Sequence, residues 1–423
     1  MLTRAVRLYG VNDLRLESFD LGPVGDDDVL CEIVCDSICM SSYKAASQGA
    51  AHKRVPADVA QNPVIIGHEF CGKIAEVGKN WRNRYRPGDG FAIQPAHFYK
   101  GSLQAPGYSY PLCGGDATYV KIPIEILLMD CLLPYRNETF FFGSLSEPMS
   151  CIIGAYHAMY HTRQGVYEHA MGIREGGNLL LLAAAGPMGL GAIDYALHGA
   201  IKPALLVVTD IDDARLKRAG AVYPPEEAKK SGVTLRYVNT AKSAQPAQEL
   251  MALTGGTGYH DAICFAPVRA VVEQANAVLA FDGCLNFFAG PQDHAFTAGV
   301  NFYDVHYTGT HIMGTTGGST DDMREAIALL SDGSINPAAM ITHIGGLDSA
   351  AQATLNLPSI PGGKKLIYTH IDLPLTAIAD FETLGETDEL FRELGRIVAS
   401  NGGLWCPEAE RRLLEQKSRK NGA

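Results

Sequence analysis

The stretch LLLLAAAGPMG, residues 179–189, decides the fold of the central part of this chain. An apolar run of strand length leads into a glycine turn, and a second apolar segment continues to about His198. In a strand-turn-helix unit of this kind, backbone N–H groups approach a pyrophosphate, and the N-terminus of the helix adds partial positive charge. The turn Gly186-Pro187-Met188-Gly189 is therefore predicted to bind the phosphates of a dinucleotide.

The next predicted strand supplies an acid at the position such a site requires. The run LLVVTD ends at Asp210, where a carboxylate accepts both hydroxyls of the adenine ribose and repels a 2′-phosphate. This favours NAD(H) over NADP(H). Arg215, five positions further on, is a second candidate against the ribose or adenine, the alternative being a solvated charge on a helix.

Composition and charge limit the classes of partner. Of the 423 residues, 47% are hydrophobic and 19% are charged, which predicts two or three domains with large buried cores. The net charge of −11 argues against a nucleic-acid or anionic-membrane surface. The longest apolar run is too short to span a bilayer, and charges near the N-terminus argue against a signal peptide. We therefore expect a cytoplasmic protein without nucleic-acid or membrane partners.

The pattern of apolar runs and turn residues changes along the chain. Residues up to about Pro148 form short β-like runs separated by turn residues, whereas residues 204–209, 261–265 and 283–289 read as buried strands separated by helix-length segments. Alternating strands and helices predict a parallel, doubly wound sheet. The prediction is a β-rich catalytic domain of residues 1–151 and 319–376, an inserted nucleotide-binding domain of residues 152–318, and a C-terminal helical extension of residues 377–423.

Potential metal ligands lie in the β-rich part: Cys39, the pair His68-Glu69, and Glu147. Catalytic zinc has three protein ligands drawn from Cys, His and carboxylate, with a fourth position open. Cys39, His68 and one of the two glutamates would supply that set. Each residue alone has an ordinary explanation, such as a buried thiol, so the combination carries the hypothesis.

The order of these motifs resembles that of the zinc-dependent medium-chain dehydrogenase/reductase family. The shared elements are Cys39-x-Ser41, Gly67-His68-Glu69-Phe70-x-Gly72, Pro87-Gly88-Asp89, Glu147-Pro148 and the turn at Gly186. The resemblance implies an α/β protein in which a GroES-like β-rich catalytic domain carries an inserted Rossmann domain. Glu147-Pro148 is similar to the polyol dehydrogenases, and residues 314–323 and 362–370 resemble the L-sorbose-1-phosphate reductase group.

The resemblance also implies roles for individual residues. Cys39 and His68 would bind zinc, either Glu69 or Glu147 would complete the ligand set, and the other carboxylate would hold a water in the catalytic site. Ser41 would pass the alcohol proton toward solvent, the alternative being a helix cap. Lys44 would serve the proton relay, the cofactor or a phosphate, and a surface lysine is the alternative.

Two departures from the family pattern carry predictions. Many members bind a structural zinc through four closely spaced cysteines, but residues 91–119 contain only Cys113. We therefore predict one catalytic zinc and no structural zinc. Ser42 replaces the usual aspartate beside the ligand histidine, which would loosen metal binding.

The predicted function is hydride transfer between NAD(H) and a ketose or polyol, reducing L-sorbose 1-phosphate to glucitol 6-phosphate. The alternatives are an unphosphorylated polyol dehydrogenase, a non-catalytic nucleotide-binding protein of the same fold and a zinc-free quinone reductase. The sequence leaves open which of Lys44, Lys100 or Arg54 contacts a phosphate. The family implies a homodimer or homotetramer.

Overall fold

The computed structural model describes residues 1–137, 139–163 and 165–420. The chain divides into two compact units. The first contains Met1–Pro148, Ala326–Ser331 and the chain from Ile341 onward, and the second contains Met149–Glu325 and Asp332–Met340. Among the described residues, no helix combines the length and the apolar character that a membrane span requires.

The strands are β1 (Leu2–Gly10), β2 (Asp13–Asp20), β3 (Val29–Ile38), β4 (Val64–Ile65), β5 (Phe70–Val77), β6 (Gly90–Ile93), β7 (Tyr119–Lys121), β8 (Leu132–Pro134), β9 (Tyr160–Arg163), β10 (Val166–Met171), β11 (Asn178–Leu182), β12 (Leu205–Asp210), β13 (Thr234–Asn239), β14 (Tyr259–Cys264), β15 (Leu279–Phe287), β16 (His311–Gly314), β17 (Ile341–Gly346), β18 (Lys364–Tyr368) and β19 (Thr376–Ala377).

The α-helices are α1 (Met40–Gln48), α2 (Ile124–Leu128), α3 (Phe140–Ala158), α4 (Pro187–His198), α5 (Asp213–Val222), α6 (Pro225–Lys230), α7 (Pro246–Leu253), α8 (Arg269–Ala277), α9 (Phe302–Tyr307), α10 (Thr320–Ser331), α11 (Leu347–Leu355), α12 (Phe381–Leu384), α13 (Glu389–Ser400) and α14 (Pro407–Lys420).

The second unit is built on a six-stranded parallel sheet with the order β13-β12-β11-β14-β15-β16. β11 lies inside the sheet, and its four successive leucines are fully buried. A strand covered on both faces needs a continuous apolar run, which is the pattern seen in its sequence. The parallel, doubly wound sheet predicted from the sequence is thus confirmed.

The first unit contains a sheet in the order β19-β17-β18-β3-β5-β6-β8, with β7 also paired to β3, and a smaller sheet β2-β1-β4. β3 and β5 are antiparallel neighbours, and Asp36 near the end of β3 lies opposite Phe70 at the start of β5. On its other edge β3 pairs with β18, with Ile38 opposite Lys365. This register places Cys39, which follows β3, near His68 and Glu69, which precede β5.

The C-terminal stretch folds onto the first unit. α13 and α14 belong to it, and Trp405 between them is fully buried and donates from Nε1 to the Tyr368 hydroxyl at 2.9 Å. Of the predicted extension, residues 421–423 lie outside the described part of the chain. The exact domain boundaries drawn from the sequence stay a prediction.

Candidate metal centre and nucleotide turn

Cys39, His68 and Glu69 converge at the end of β3 and the start of β5. One donor atom from each, a thiol sulfur, an imidazole nitrogen and a carboxylate oxygen, lies within 4.8 Å of the other two. His68 and Glu69 are buried, and Cys39 is partly exposed. The structure therefore brings together three of the four residues that the sequence nominated for zinc.

Glu69 is held from two sides by groups that the sequence did not reveal. Lys364 donates to both of its carboxylate oxygens, with a distance of 2.5 Å to Oε2, and the Ser37 hydroxyl also donates to Oε2. Burial alone would raise the pKa of Glu69, but the charge of Lys364 and these hydrogen bonds hold that pKa below its usual value. Glu69 is therefore an ionised, fully buried carboxylate.

His68 is oriented by three hydroxyl groups. Ser42 Oγ lies 3.2 Å from Nδ1, while Ser41 Oγ and the Tyr108 hydroxyl lie 3.1 and 3.2 Å from Nε2. Burial lowers the pKa of His68, which favours the neutral imidazole that binds metals. With Nδ1–H donated to Ser42, the Nε2 lone pair points toward the ligand cluster.

Ser41 also reaches the third candidate ligand, because its Oγ donates to Cys39 Sγ at 3.1 Å. Burial raises the pKa of the Cys39 thiol, and the positive charge of Lys364 opposes that rise. A cation bound at this position would favour the thiolate further, because a coordinated thiol loses its proton.

Glu147 lies outside the three-donor cluster but shares its electrostatic field. Burial and the charge of Glu69 raise the pKa of Glu147 to about 7, and the positive charge of Lys364 is among the effects that oppose this rise. The residue sits on α3, where the Ser144 hydroxyl donates to the backbone carbonyl of Glu69 at 2.5 Å. Glu147 is thus close enough to sense the cluster charges, whereas Glu69 is the carboxylate whose oxygen converges with Cys39 and His68.

These donors fit zinc. Thiolate, imidazole and carboxylate are its common ligands, and tetrahedral ligand distances of about 2.0–2.3 Å place donor atoms roughly 3–4 Å apart. Donors within 4.8 Å of one another can reach one ion through small side-chain movements. Within the described residues, no second group of three or more such side chains is arranged for a metal, and Cys113 is a buried free thiol.

A group of cations lies beside the same site. The Arg54 guanidinium lies 5.5 Å from the centre of the Tyr108 ring, and His52 stacks against that ring at 5.7 Å. Burial, together with the charges of Arg54, Lys53 and Lys44, lowers the pKa of His52 to about 4. The chain, acidic overall, therefore carries local positive potential here. We call Lys44, Lys53 and Arg54 the cationic group.

Lys44 is half-buried on α1, and burial lowers its pKa while the charge of Cys39 opposes that change. Lys100, the third phosphate candidate, is exposed and lies 5.0 Å from the centre of the Tyr99 ring. Lys44 and Arg54 are thus the two candidates that the structure places beside the metal ligands.

The predicted nucleotide turn has the expected local form in the second unit. Gly186 caps α4 at its N-terminus, and Pro187 is the first residue of the helix. A Cβ atom at Gly186 would point into open space, which leaves the backbone accessible to a phosphate. A Cβ atom at Gly189 would lie 1.9 Å from the Ala184 carbonyl oxygen, so glycine is required there.

Asp210 ends β12 and is only 6% exposed. Its carboxylate accepts backbone N–H groups from Ala185, Ile211 and Asp212, at 3.1, 2.8 and 3.1 Å. Since a carboxylate has about four acceptor sites, these backbone contacts occupy most of the capacity that the two ribose hydroxyls are expected to use. Arg215 lies 3.7 Å from Asp212 and is 56% exposed, in agreement with a solvated helix charge.

Sequence reasoning missed Ser37, Tyr108 and Lys364. Lys364 lies in the Gly-Gly-Lys-Lys run that contributed to the family resemblance, so its motif was visible although its partner was not. Tyr108 and Ser37 carry no sequence signal that connects them with His68 or Glu69.

Comparison with known proteins agrees with this geometry. Residues 25–130 match the family model of the alcohol dehydrogenase GroES-like domain, and residues 187–332 match that of the zinc-binding dehydrogenase. Mannitol-1-phosphate 5-dehydrogenase of Aliivibrio fischeri is 52% identical over 98% of this chain and 97% of its own length. L-sorbose 1-phosphate reductase of Klebsiella pneumoniae is 50% identical over 97% of both chains. The chain belongs to the zinc-dependent medium-chain dehydrogenase family.

The solved structure of 2R,3R-butanediol dehydrogenase from Bacillus subtilis shares the fold of this medium-chain dehydrogenase. Its TM-score is 0.69 at 19% identity, over 86% of this chain and 99% of that one. The predicted GroES-like domain with an inserted Rossmann domain is therefore confirmed, as is the predicted enzyme class. This medium-chain dehydrogenase is an oxidoreductase that acts on CH–OH groups.

Proposed function

We propose that the chain is a zinc-dependent ketose-phosphate reductase that transfers hydride from NADH to its substrate and, in reverse, oxidises the polyol phosphate. The proposed reaction reduces L-sorbose 1-phosphate to glucitol 6-phosphate. The observation that carries this proposal is the position of Arg54 over Tyr108, whose hydroxyl contacts the candidate zinc ligand His68. A guanidinium beside a metal site provides the bidentate contact that a phosphate prefers.

Cys39 and His68 would hold the zinc, with Glu69 as the third ligand or Glu147 in its place. When bound, zinc would act as a Lewis acid that polarises the substrate oxygen. Lys364 keeps Glu69 ionised, and Ser42 fixes the orientation of His68. The protein thus presents an ionised Glu69 and an oriented, neutral His68 before any substrate binds.

Ser41 is the proposed path for the alcohol proton. Its hydroxyl lies within 3.1 Å of both Cys39 Sγ and His68 Nε2, so it adjoins the position where a substrate oxygen would bind. A hydroxyl can accept a proton and donate its own in one motion, which suits a relay. Lys44, one helical turn further along α1, joins the cationic group in this proposal rather than the relay.

The nucleotide turn would hold the cofactor. Its open backbone at Gly186 and the N-terminus of α4 suit a pyrophosphate. Asp210 would accept one ribose hydroxyl and repel a 2′-phosphate, which supports NAD(H) as the preferred cofactor. Arg215 stays a candidate adenine contact. The dimer or tetramer implied by the family stays a prediction.

Names of the relatives support a phosphorylated substrate, because both of those at 50–52% identity are named for a hexose or hexitol phosphate. The two names also differ in the sugar. The test is therefore a panel of L-sorbose 1-phosphate, D-fructose 6-phosphate and the two free ketoses, each with NADH and NADPH, followed by absorbance of the reduced nicotinamide.

The proposal expects L-sorbose 1-phosphate with NADH to give a kcat/KM at least a hundred-fold above that of free L-sorbose. Equal values for the free and phosphorylated ketoses would identify an unphosphorylated polyol dehydrogenase instead. Preference for D-fructose 6-phosphate would retain the phosphate site and change the sugar.

A pair of variants locates the phosphate contact. Arg54→Met removes the guanidinium beside Tyr108 and is expected to raise KM for the sugar phosphate at least tenfold while leaving KM for the free ketose unchanged. Lys100→Met is the matched control, because Lys100 is an exposed cation that lies against Tyr99 instead. Equal effects on both substrates would mean that Arg54 acts only by packing against Tyr108.

A further inference from the structure

The C-terminal helix α14 reaches the start of the helix that carries Glu147. Glu410 of α14 accepts the backbone N–H of Phe140 at 2.7 Å on Oε2 and that of Phe141 at 2.8 Å on Oε1. These are the first two residues of α3, whose N–H groups have no partner within the helix. Glu410, which is 270 positions from Phe140 and 269 from Phe141, thus satisfies both N–H groups.

Glu410 is itself held firmly. Only 1% of its surface is exposed, and Oε1 also accepts the Tyr368 hydroxyl at 2.9 Å. That hydroxyl in turn accepts Trp405 Nε1–H, so two buried aromatic residues fix the carboxylate. Because this buried carboxylate is held by three donors, a movement of α14 would also move the start of α3.

The first turns of α3 contact β5, the strand that follows Glu69. The Cys71 thiol, two residues after Glu69, donates to the Phe140 carbonyl at 2.7 Å. A Cβ atom at Gly143 would lie 2.8 Å from Cys71, so helix and strand touch through a glycine. One position on, Ser144 donates to the Glu69 carbonyl at 2.5 Å.

Glu147 follows on the same helix, seven residues after Phe140, which is about two turns or 10 Å along the axis. A shift of the first turn of α3 therefore moves the Ser144 contact to Glu69 and the position of Glu147 together. Phe140 stands at the centre of this arrangement, because its N–H binds Glu410 and its carbonyl binds Cys71.

We infer that Glu410 is a positioning residue: by capping α3 it fixes the positions of both active-site carboxylates, Glu69 and Glu147. The C-terminal extension thereby stabilises the geometry of the metal site. This inference rests on the proposed function, since it takes these carboxylates to be the ones that serve zinc. It assigns a role to the C-terminal extension, whose sequence carries no motif that indicates one.

The test replaces Glu410 by glutamine in the full chain. The amide keeps the shape but turns an N–H₂ donor toward one of the helix N–H groups, so one cap is lost. We expect zinc affinity, measured by chelator competition, to fall 10- to 100-fold, the range seen when groups that orient ligands are changed. We expect kcat to fall at least tenfold, with KM for NADH unchanged.

Two controls separate positioning from general stability. Glu408→Gln changes an exposed carboxylate on the same helix and should alter neither quantity. Ile126→Val weakens a buried core cluster of the same unit that includes no residue of α14, and is expected to lower the thermal midpoint while leaving zinc affinity unchanged. Should Glu410→Gln fail to fold, Tyr368→Phe removes one of the three hydrogen bonds to Glu410, together with the one from Trp405 Nε1, and should produce a smaller loss of zinc affinity.

The outcomes are distinct. Suppose that Glu410→Gln and Ile126→Val lower the thermal midpoint equally. If Glu410→Gln then loses no more zinc affinity than Ile126→Val does, the positioning role is overturned, while zinc binding by the parent stands. If the parent chain itself binds no zinc, the proposed function fails and this inference fails with it.

Discussion

Lys364 Nζ lies 2.5 Å from Glu69 Oε2, and the two side chains are 5% and 1% exposed. They are 295 residues apart in the sequence. Two opposite charges taken out of water in this way are tolerated only as a pair, because either one alone would lose its hydration without compensation. The candidate metal ligand is thus part of a buried ion pair.

Replacing Lys364 by methionine should therefore destabilise the metal-free protein. Breaking a buried pair by removing one partner costs about 3–5 kcal/mol, because the remaining charge is stranded. Chemical denaturation in the presence of a chelator measures the loss. A second change, Glu69→Gln, removes the stranded charge and should recover part of it.

Lys365→Met provides the matched control for this experiment. Lys365 is also buried, but its Nζ donates to the backbone carbonyls of Pro361 and Gly363 rather than to a carboxylate. Its loss strands no charge, so the destabilisation should be smaller. A loss equal to that of Lys364→Met would mean that the charge of Glu69 does not matter.

Ser42→Ala should weaken zinc binding by about tenfold, because it removes the hydroxyl 3.2 Å from His68 Nδ1 that orients the ring. Ser47→Ala, on the same helix but hydrogen-bonded to the Lys44 carbonyl, is the control. Titration of the metal-free proteins with zinc against a chromogenic chelator gives the comparison. Identical affinities for the two variants would remove Ser42 from the site.

Cys39→Ala should abolish zinc binding and turnover while NADH binding, followed by nicotinamide fluorescence, persists. Elemental analysis should find about one zinc per chain in the parent and in Cys113→Ala, since Cys113 is a buried free thiol and the single cysteine between residues 91 and 119. Two zinc ions per chain would contradict the single-site prediction. Turnover by Cys39→Ala would contradict its role as a ligand.

Asp210→Asn should narrow the preference for NADH over NADPH by about tenfold, which corresponds to about 1.4 kcal/mol. The amide lacks the charge that repels a 2′-phosphate, and it can no longer accept all three backbone N–H groups. Asp213→Asn, an exposed neighbour paired with Lys242, controls for general charge. An unchanged ratio of the two kcat/KM values would place Asp210 outside the ribose site.

Glu410 should make stability depend on pH. Burial raises the pKa of Glu410 from 4.5 to about 7, although the hydrogen bonds from Tyr368, Phe140 and Phe141 act to lower it. The charge of Glu410 in turn helps to raise the pKa of three neighbouring groups, Cys35, Cys71 and Tyr135. Between these pH values the folded state retains a proton that the unfolded state has lost. This contribution to stability is complete below pH 4.5 and disappears as the pH rises through about 7.

The measurement compares unfolding free energies of the parent and Glu410→Gln from pH 4.5 to 8. The parent should lose stability relative to the variant across this interval, by an amount on the order of 3 kcal/mol. Glu408→Gln, which is exposed, should follow the parent. Parallel pH profiles for the parent and Glu410→Gln would contradict the raised pKa.

Much of the fold could be predicted because the relevant signals are local. The apolar run of β11, the glycine turn at Gly186 and the helix that follows are contiguous, and each is specified by its own residue types. The candidate metal ligands Cys39, His68 and Glu69 are equally visible in the sequence. The prediction of a single zinc site rests on a count of cysteines between residues 91 and 119, and it stays a prediction.

The partners of these residues could not be predicted in the same way. Ser37, Tyr108 and Lys364 reach Glu69 and His68 from separate elements, and Asp210 turned out to be engaged by three backbone N–H groups. Hydrogen bonding and burial depend on which chain segments meet. That information does not reside in the spacing of residues along one segment.

The sequence by itself determined the parallel sheet, the nucleotide turn and the residue types available for zinc, because periodicity, glycine and side-chain chemistry act over a few neighbouring residues. Only the tertiary structure decided that Lys364 neutralises Glu69 and that Glu410 caps the helix of Glu147. Both contacts join residues at least 269 positions apart. They exist because the strand at Lys364 pairs with β3 and because α14 packs at the start of α3.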